Sequence, residues 1–223
     1  MDTHFDRPQA IAFDLDGTLV DSAPDIPHAL NVALHESGLR GFALEQVRTW
    51  IGDGPDALIV RALAALGASG QATQHRVRAG FDRATLDAPL AHGRVYDGID
   101  TLLAQLQPAW PLVVVTNKPT ALARAVLDAA RLLPRFATVY GGDAAALRKP
   151  APALLLQAAD DLRVRPRQLL MVGDSAADVA AAAAAGAPAV WAGWGYGAPP
   201  AATARCWPIA RPAQLLQLLD AWR

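Results

Sequence analysis

From residue 98 to the carboxyl end, short apolar runs alternate with helical periodicities, and that alternation leaves the chain few folds to adopt. Ile99, Leu102, Leu103 and Leu106 recur at i, i+3, i+4 and i+7, the spacing of an amphipathic helix. Leu112-Val113-Val114-Val115 follows, and such an unbroken apolar run suits a strand buried on both faces. Leu122, Ala125, Val126 and Ala129 mark the next helix, with Thr120 as its cap. Thr138 to Gly141 then predicts a strand, Pro152 to Leu162 a helix and Leu169 to Val172 a strand. An alanine-rich helix ends at Gly186, Ala189 to Trp191 is a last strand, and Leu215 to Leu219 belongs to a terminal helix. Strand and helix in this order imply right-handed βαβ units and a parallel sheet covered on both faces. Ile11 to Asp14 supplies one earlier core strand. Residues 22–88 show no strand pattern and carry four helical stretches, broken at Gly38, at Gly52-Asp53-Gly54 and at Gly67 to Gly70. The prediction is an α/β chain, a Rossmann-like parallel sheet core formed by residues 1–20 and 94–223. An all-helical cap, residues 21–93, is inserted after the first strand.

Size and charge exclude several classes of function. A chain of 223 residues has room for one good core plus a small second unit. A formal net charge of −1 offers no basic field for nucleic acid or anionic lipid. No apolar run reaches the ~20 residues that span a bilayer. Met1 to Gln9 is polar and charged, unlike a signal peptide, and Cys206 is the single cysteine, which suits a reducing, cytoplasmic setting. Of 20 basic residues only Lys118 and Lys149 are lysines, and both fall in motifs at strand ends.

The chemistry gathers where strands end. Ile11 to Leu19 reads Ile-Ala-Phe-Asp-Leu-Asp-Gly-Thr-Leu, so two acids, Asp14 and Asp16, close the first strand. Side by side they repel, which a hard cation such as Mg²⁺ would relieve. Thr116 and Asn117 follow the second strand, Lys149 the third, and Asp174 and Asp178 the fourth. In a parallel sheet these ends lie together, so residues distant in sequence share one site. The Ile11 to Leu19 string points to a functional site by itself; the later strings, taken singly, read as an ordinary turn, a surface lysine or a helix cap, but taken together and in this order they do not.

The four strings resemble the four motifs of the haloacid dehalogenase superfamily, the aspartate-nucleophile phosphotransferases. The resemblance implies that Asp14 is the nucleophile and Asp16 the acid and base toward the leaving oxygen and water. It implies that Thr116 and the backbone of Asn117 hold phosphate oxygens and that Lys149 pairs with Asp14 and the phosphate. Asp14, the Asp16 carbonyl and Asp174 would hold Mg²⁺, with Asp178 supporting that site. Lys118 receives no role from it. The presence of Asp16 argues against dehalogenation, and the absence of lysine from the helical block argues against a Schiff-base hydrolase of the same superfamily.

Within the superfamily, three strings resemble the phosphoglycolate phosphatase family: Leu19 to Ile26, Trp50-Ile51-Gly52-Asp53-Gly54, and Val115-Thr116-Asn117-Lys118-Pro119. Gly141-Gly142-Asp143 also fits, whereas Ala151, the plain stretch Ala144 to Leu147 and the alanine run Ala180 to Ala185 depart from the usual pattern. The implied substrate is a small phosphorylated metabolite, most simply 2-phosphoglycolate. Another small ester, such as N-acetylmuramic acid 6-phosphate, and a β-phosphoglucomutase-like phosphotransfer are the alternatives. No nucleic acid or membrane partner is expected, and the protein is expected to be a monomer or homodimer. Gly52 and Gly54 would approach the substrate through backbone N–H groups. The substrate carboxylate calls for a cation in the helical block, and Arg48, Arg61, Arg76, Arg78 and Arg83 are the candidates. A receiver domain, which also uses Asp, Thr and Lys at strand ends, would lack the helical insertion and the second acid two places on. A non-catalytic binding protein has no support, since every expected acid is present.

Overall fold

The computed structural model describes residues 7–199 and 205–222. The first six residues of the polar amino terminus, and Pro200 at the end of the Gly/Pro-rich loop, lie outside them. In chain order the elements begin with β1 (Ala10–Phe13), β2 (Val20–Asp21), α1 (Asp25–Glu36), α2 (Leu44–Arg48), α3 (Pro55–Ala65) and α4 (Gln71–Asp87). They continue with β3 (Arg94–Val95), α5 (Ile99–Leu106), β4 (Leu112–Thr116), α6 (Thr120–Ala129), β5 (Thr138–Gly141) and α7 (Ala153–Asp161). The last are β6 (Leu169–Gly173), α8 (Ala176–Ala185), β7 (Ala189–Ala192), β8 (Cys206–Ile209) and α9 (Gln214–Ala221).

Six strands form one parallel sheet in the order β5-β4-β1-β6-β7-β8. Its strands are apolar throughout because both faces are covered, and alternate residues serve opposite faces. Ile11, Phe13, Leu112, Val114, Leu170 and Val172 pack with α5, α6 and α9. Ala10, Ala12, Val113, Val115, Leu169 and Met171 pack with α7 and α8. Alanines at 181, 182 and 185 are buried on the second face, so α8 lies close to the sheet. Strand β1 is central, with β4 on one side and β6 on the other, and the crevice where the two directions of winding part opens at its carboxyl end.

The helical block α1–α4 follows β1 as predicted and has an apolar cluster of its own, including Leu30, Leu34, Ile59, Leu63 and Phe81. Leu122 of α6 enters the same cluster, so the block is seated on the core. The chain leaves the core and returns to it side by side through an antiparallel pair, Val20 with Val95 and Asp21 with Arg94.

Besides the short β2–β3 pair, which the sequence pattern does not show, two elements differ from expectation. Ala189 to Trp191 is not the last strand, since β8 adds an edge beyond it. Pro208 hides β8 in the sequence, because proline donates no ladder hydrogen bond and is tolerated only at such an edge. Helix α2 ends at Arg48, short of the Gly52-Asp53-Gly54 break in the helical pattern, because Trp50 and Ile51 already belong to the turn that carries Gly52 and Gly54.

Candidate active site

Strand β1 ends at Phe13, and the next residue, Asp14, is pinned to the neighbouring strand by its N–H to the Val172 carbonyl at 2.9 Å. The chain then turns through Gly17 at φ +88°, where a side chain would collide with the Asp174 carboxylate. This turn brings Asp16 back beside Asp14, and both line a cavity of about 40 Å³ beneath the helical block. Thr116, Asn117, Gly52 and Gly54 line the same cavity. Gly54, at φ +84°, lies so close to the core that a Cβ would stand 2.8 Å from the Asn117 carbonyl oxygen.

Lys149 is buried and fully engaged. Its Nζ lies 2.8 Å from Asp14 Oδ1 and 2.5 Å from Asp178 Oδ1, and donates to the Val115 carbonyl at 2.9 Å. Burial works against its charge, but the two carboxylates outweigh that and hold it above the ordinary lysine range. The Asn117 side chain fixes the Lys149 loop by donating to the Lys149 carbonyl at 3.0 Å and accepting from its N–H at 2.7 Å. The same amide donates to Gly52 O at 3.0 Å and so ties the loop to the helical block.

Asp14, Asp174 and Asp178 are buried, and each offers a carboxylate oxygen within 4.8 Å of the others. Burial, then the repulsion of Asp178 and Asp174, pushes Asp14 up to about 7 against the pull of Lys149. Burial and Asp178 push Asp174 up to about 6, although the N–H groups of Tyr196 and Gly197 and the Thr18 hydroxyl oppose the rise. Carboxylates crowded this way in an apolar setting form a hard oxygen donor set for a divalent cation. Asp178 is the most committed of the three: Lys149 takes one oxygen, and Ser175 donates to the other from N–H and Oγ at 2.9 and 2.6 Å.

Lys118, one of the two lysines in motifs, carries no role assigned from the sequence. Its Nζ lies 2.8 Å from both carboxylate oxygens of Asp16, and Ser22 Oγ donates to Asp16 Oδ1 at 2.6 Å. Tyr196 was equally silent, inside a Gly/Pro-rich loop. Its N–H donates to Asp174 Oδ2 at 2.7 Å, its hydroxyl donates to Asp21 at 3.0 Å, and that hydroxyl accepts from Ala23 N–H at 2.9 Å. Among the arginines of the helical block, Arg61 pairs with Asp53, Arg78 with Asp56 and Asp82, and Arg83 with Glu36. Arg76 donates to Thr73. Arg48 lines a second cavity, shared with Asp14, Asp16 and Asp174.

Residues 8–186 match the family of haloacid dehalogenase-like hydrolases. The chain is 43% identical over 203 residues to a phosphoglycolate phosphatase of Rhodospirillum rubrum, a match covering 88% of this chain and 84% of that protein. It is 37% identical over 212 residues to the phosphoglycolate phosphatase of Escherichia coli, covering 86% and 84% of the two chains. A crystal structure described as a predicted phosphoglycolate phosphatase from Haemophilus somnus superposes with a TM-score of 0.88 at 31% identity, over 96% of this chain and 98% of that one.

Proposed function

Because the chain belongs to the haloacid dehalogenase-like hydrolases, we propose that it is a Mg²⁺-dependent phosphomonoester hydrolase that converts 2-phosphoglycolate and water to glycolate and phosphate. The activity named for its relatives supports the substrate. The observation that carries the chemistry is that Asp14, held by Lys149, and Asp16, held by Lys118, face one cavity from the same turn.

In this reading an Asp14 oxygen attacks phosphorus, the bond from phosphorus to the glycolate oxygen breaks, and Asp16 gives that oxygen its proton. An aspartyl phosphate remains. Asp16, now a carboxylate, takes a proton from water as the water oxygen attacks phosphorus, which releases phosphate and frees Asp14. Lys149 offsets the charge that builds on Asp14 and the phosphoryl oxygens, while Thr116 and the backbone of Asn117 orient those oxygens. Asp14, the Asp16 carbonyl and Asp174 would hold Mg²⁺, with Asp178 in support, and the ion would offset the charge of the acids and of the phosphoryl group. Gly52 and Gly54 close over the substrate. Residues 21–93 serve as the cap that excludes water, and residues 1–20 and 94–223 as the catalytic core. The lone, half-buried Cys206 supports a cytoplasmic setting.

The test is phosphate release from 2-phosphoglycolate, sugar phosphates and N-acetylmuramic acid 6-phosphate, with and without Mg²⁺. A preference for 2-phosphoglycolate of about tenfold or more in kcat/KM, about 1.4 kcal/mol of transition-state discrimination, is the expected result. A sugar phosphate in first place refutes the substrate. Asp14→Asn is expected to abolish turnover with the fold intact, and near-normal activity in that variant refutes the nucleophile.

A further inference from the structure

Arg48 differs from its neighbours in what it touches. Arg61, Arg78 and Arg83 are neutralised by acids of the helical block. Among the described residues no carboxylate pairs with Arg48. Its guanidinium carbon instead stands 5.4 Å from the centre of the Tyr196 ring. That ring is a fixed platform, because the Tyr196 N–H is bonded to Asp174 and its hydroxyl to Asp21 and Ala23. Stacking on a face leaves the edge of a guanidinium free, and that edge matches a planar carboxylate with two parallel N–H groups.

The position is as telling as the contact. Arg48 is exposed at the end of α2 and lines a cavity of about 210 Å³ together with Asp14, Asp16, Asp174 and Tyr196. The acids there do not need it, since Asp14 has Lys149, Asp16 has Lys118, and Asp174 has Thr18, Tyr196 and Gly197. The cation is therefore uncommitted and faces the reacting centre from the helical block, where the part of a substrate beyond its phosphoryl group would lie.

We propose that Arg48, stacked on Tyr196, is the specificity-determining residue that binds a carboxylate on the substrate's leaving group. It would select phosphate esters of small hydroxy acids over esters of uncharged alcohols. The assignment rests on the phosphatase reading above and deepens it, by naming the group that recognises the second charge.

The test compares 2-phosphoglycolate with 2-hydroxyethyl phosphate, which keeps the two-carbon skeleton and carries an alcohol in place of the carboxylate. Arg48→Gln is expected to raise KM for 2-phosphoglycolate roughly ten- to a hundredfold, the worth of a charge-assisted hydrogen bond. The loss on the uncharged ester is smaller, so the ratio of the two kcat/KM values falls about tenfold or more. Arg48→Lys keeps the charge without the planar fork and recovers part of that ratio. Arg61→Gln, on the other side of the glycine turn and already paired with Asp53, leaves the ratio near that of the wild type. Equal losses on the two esters, or no fall in the ratio, overturn the assignment. A wild-type enzyme that prefers sugar phosphates to 2-phosphoglycolate overturns the substrate reading instead. The Arg48 assignment is then decided by the same ratio, so the two failures are told apart.

Discussion

The proposed mechanism needs Asp16 to point at the leaving oxygen, and Asp16 stands on a turn, where nothing regular holds a side chain. Lys118 and Ser22 supply the hold, by bonds to both Asp16 oxygens. Lys118→Met should therefore lower kcat by roughly tenfold or more on an alkyl ester such as 2-phosphoglycolate, and less on p-nitrophenyl phosphate, whose leaving oxygen needs little protonation. Equal losses on the two substrates would count against this positioning role. Asp14, Thr116 and Asp174 were legible because a parallel sheet must gather its strand ends, whereas Lys149 stands on a loop beyond β5 and was picked out only by its place in the set of motifs. Lys118 was not legible, since its partner is 102 residues away and no periodicity links the two. Tyr196 was hidden for the same reason, its contacts being 22 and 175 residues distant. The acids carry a second prediction. Asp14 and Asp174 hold protons more tightly folded than unfolded, so they favour the folded state at low pH, and metal-free stability falls as pH rises from the ordinary carboxylate range through about 6 to 7. Mg²⁺ should oppose that loss. At 10 to 100 times its dissociation constant it is expected to add about 1.4–2.7 kcal/mol and raise Tm by roughly 3–10 °C. Asp174→Asn should abolish the rise in a thermal-shift titration, and an undiminished shift would rule Asp174 out as a ligand.

Between elements, the glycine turn before α3 is docked on the core by two kinds of bond. Asn117 donates to Gly52 O, and Asp56 at the start of α3 pairs with Arg148, whose Nε also donates to Gly142 O at 2.8 Å. Burial opposes ionisation of Asp56, but Arg148 and Arg78 outweigh it and hold the carboxyl below its usual range. Because Arg148 is adjacent to Lys149, the seating of the helical block on the core and the placement of Lys149 share one support. Asp56 is more than a third exposed, so its loss should cost less than about 1 kcal/mol of stability. Asp56→Asn is instead expected to raise KM by roughly three- to tenfold with kcat less affected, because the closed arrangement becomes less populated. A fall in kcat alone would place Asp56 in the chemical step. This joint was only half visible in the sequence. The Gly-Asp-Gly turn announced itself, but neither Asp56 nor Arg148 stands out among surface charges, and their meaning comes from α3 resting against the Lys149 loop. Strand β8 and the β2–β3 pair escaped for a related reason: two-residue strands and a proline-bearing edge carry too few alternating positions to show a period.

In the whole molecule, the helical block and the sheet are joined more firmly than two connecting strands require. Asp25, in the first turn of α1, accepts from the N–H groups of His92 and Gly93 at 2.8 Å each, so the outgoing and returning chains are clamped together. The antiparallel pair β2–β3 adds a second tie at the same place. Leu122 crosses the other way: it projects from α6 of the core into the apolar cluster of the block and is 2% exposed. A block with its own core can unfold alone only if its boundary is cheap to open, and here opening would expose Leu122 and break the bonds from Asn117 to Gly52 O and from Arg148 to Asp56. The block and the sheet should therefore melt in one cooperative transition by calorimetry. Leu122→Ala leaves a cavity inside the shared cluster and is expected to cost about 2–4 kcal/mol, lowering Tm by roughly 5–15 °C. If the boundary couples the two parts, the variant's transition moves down as a single peak. Two resolved peaks, with only the lower one shifted, would mean that the helical block unfolds independently of the sheet and that Leu122 serves the block alone.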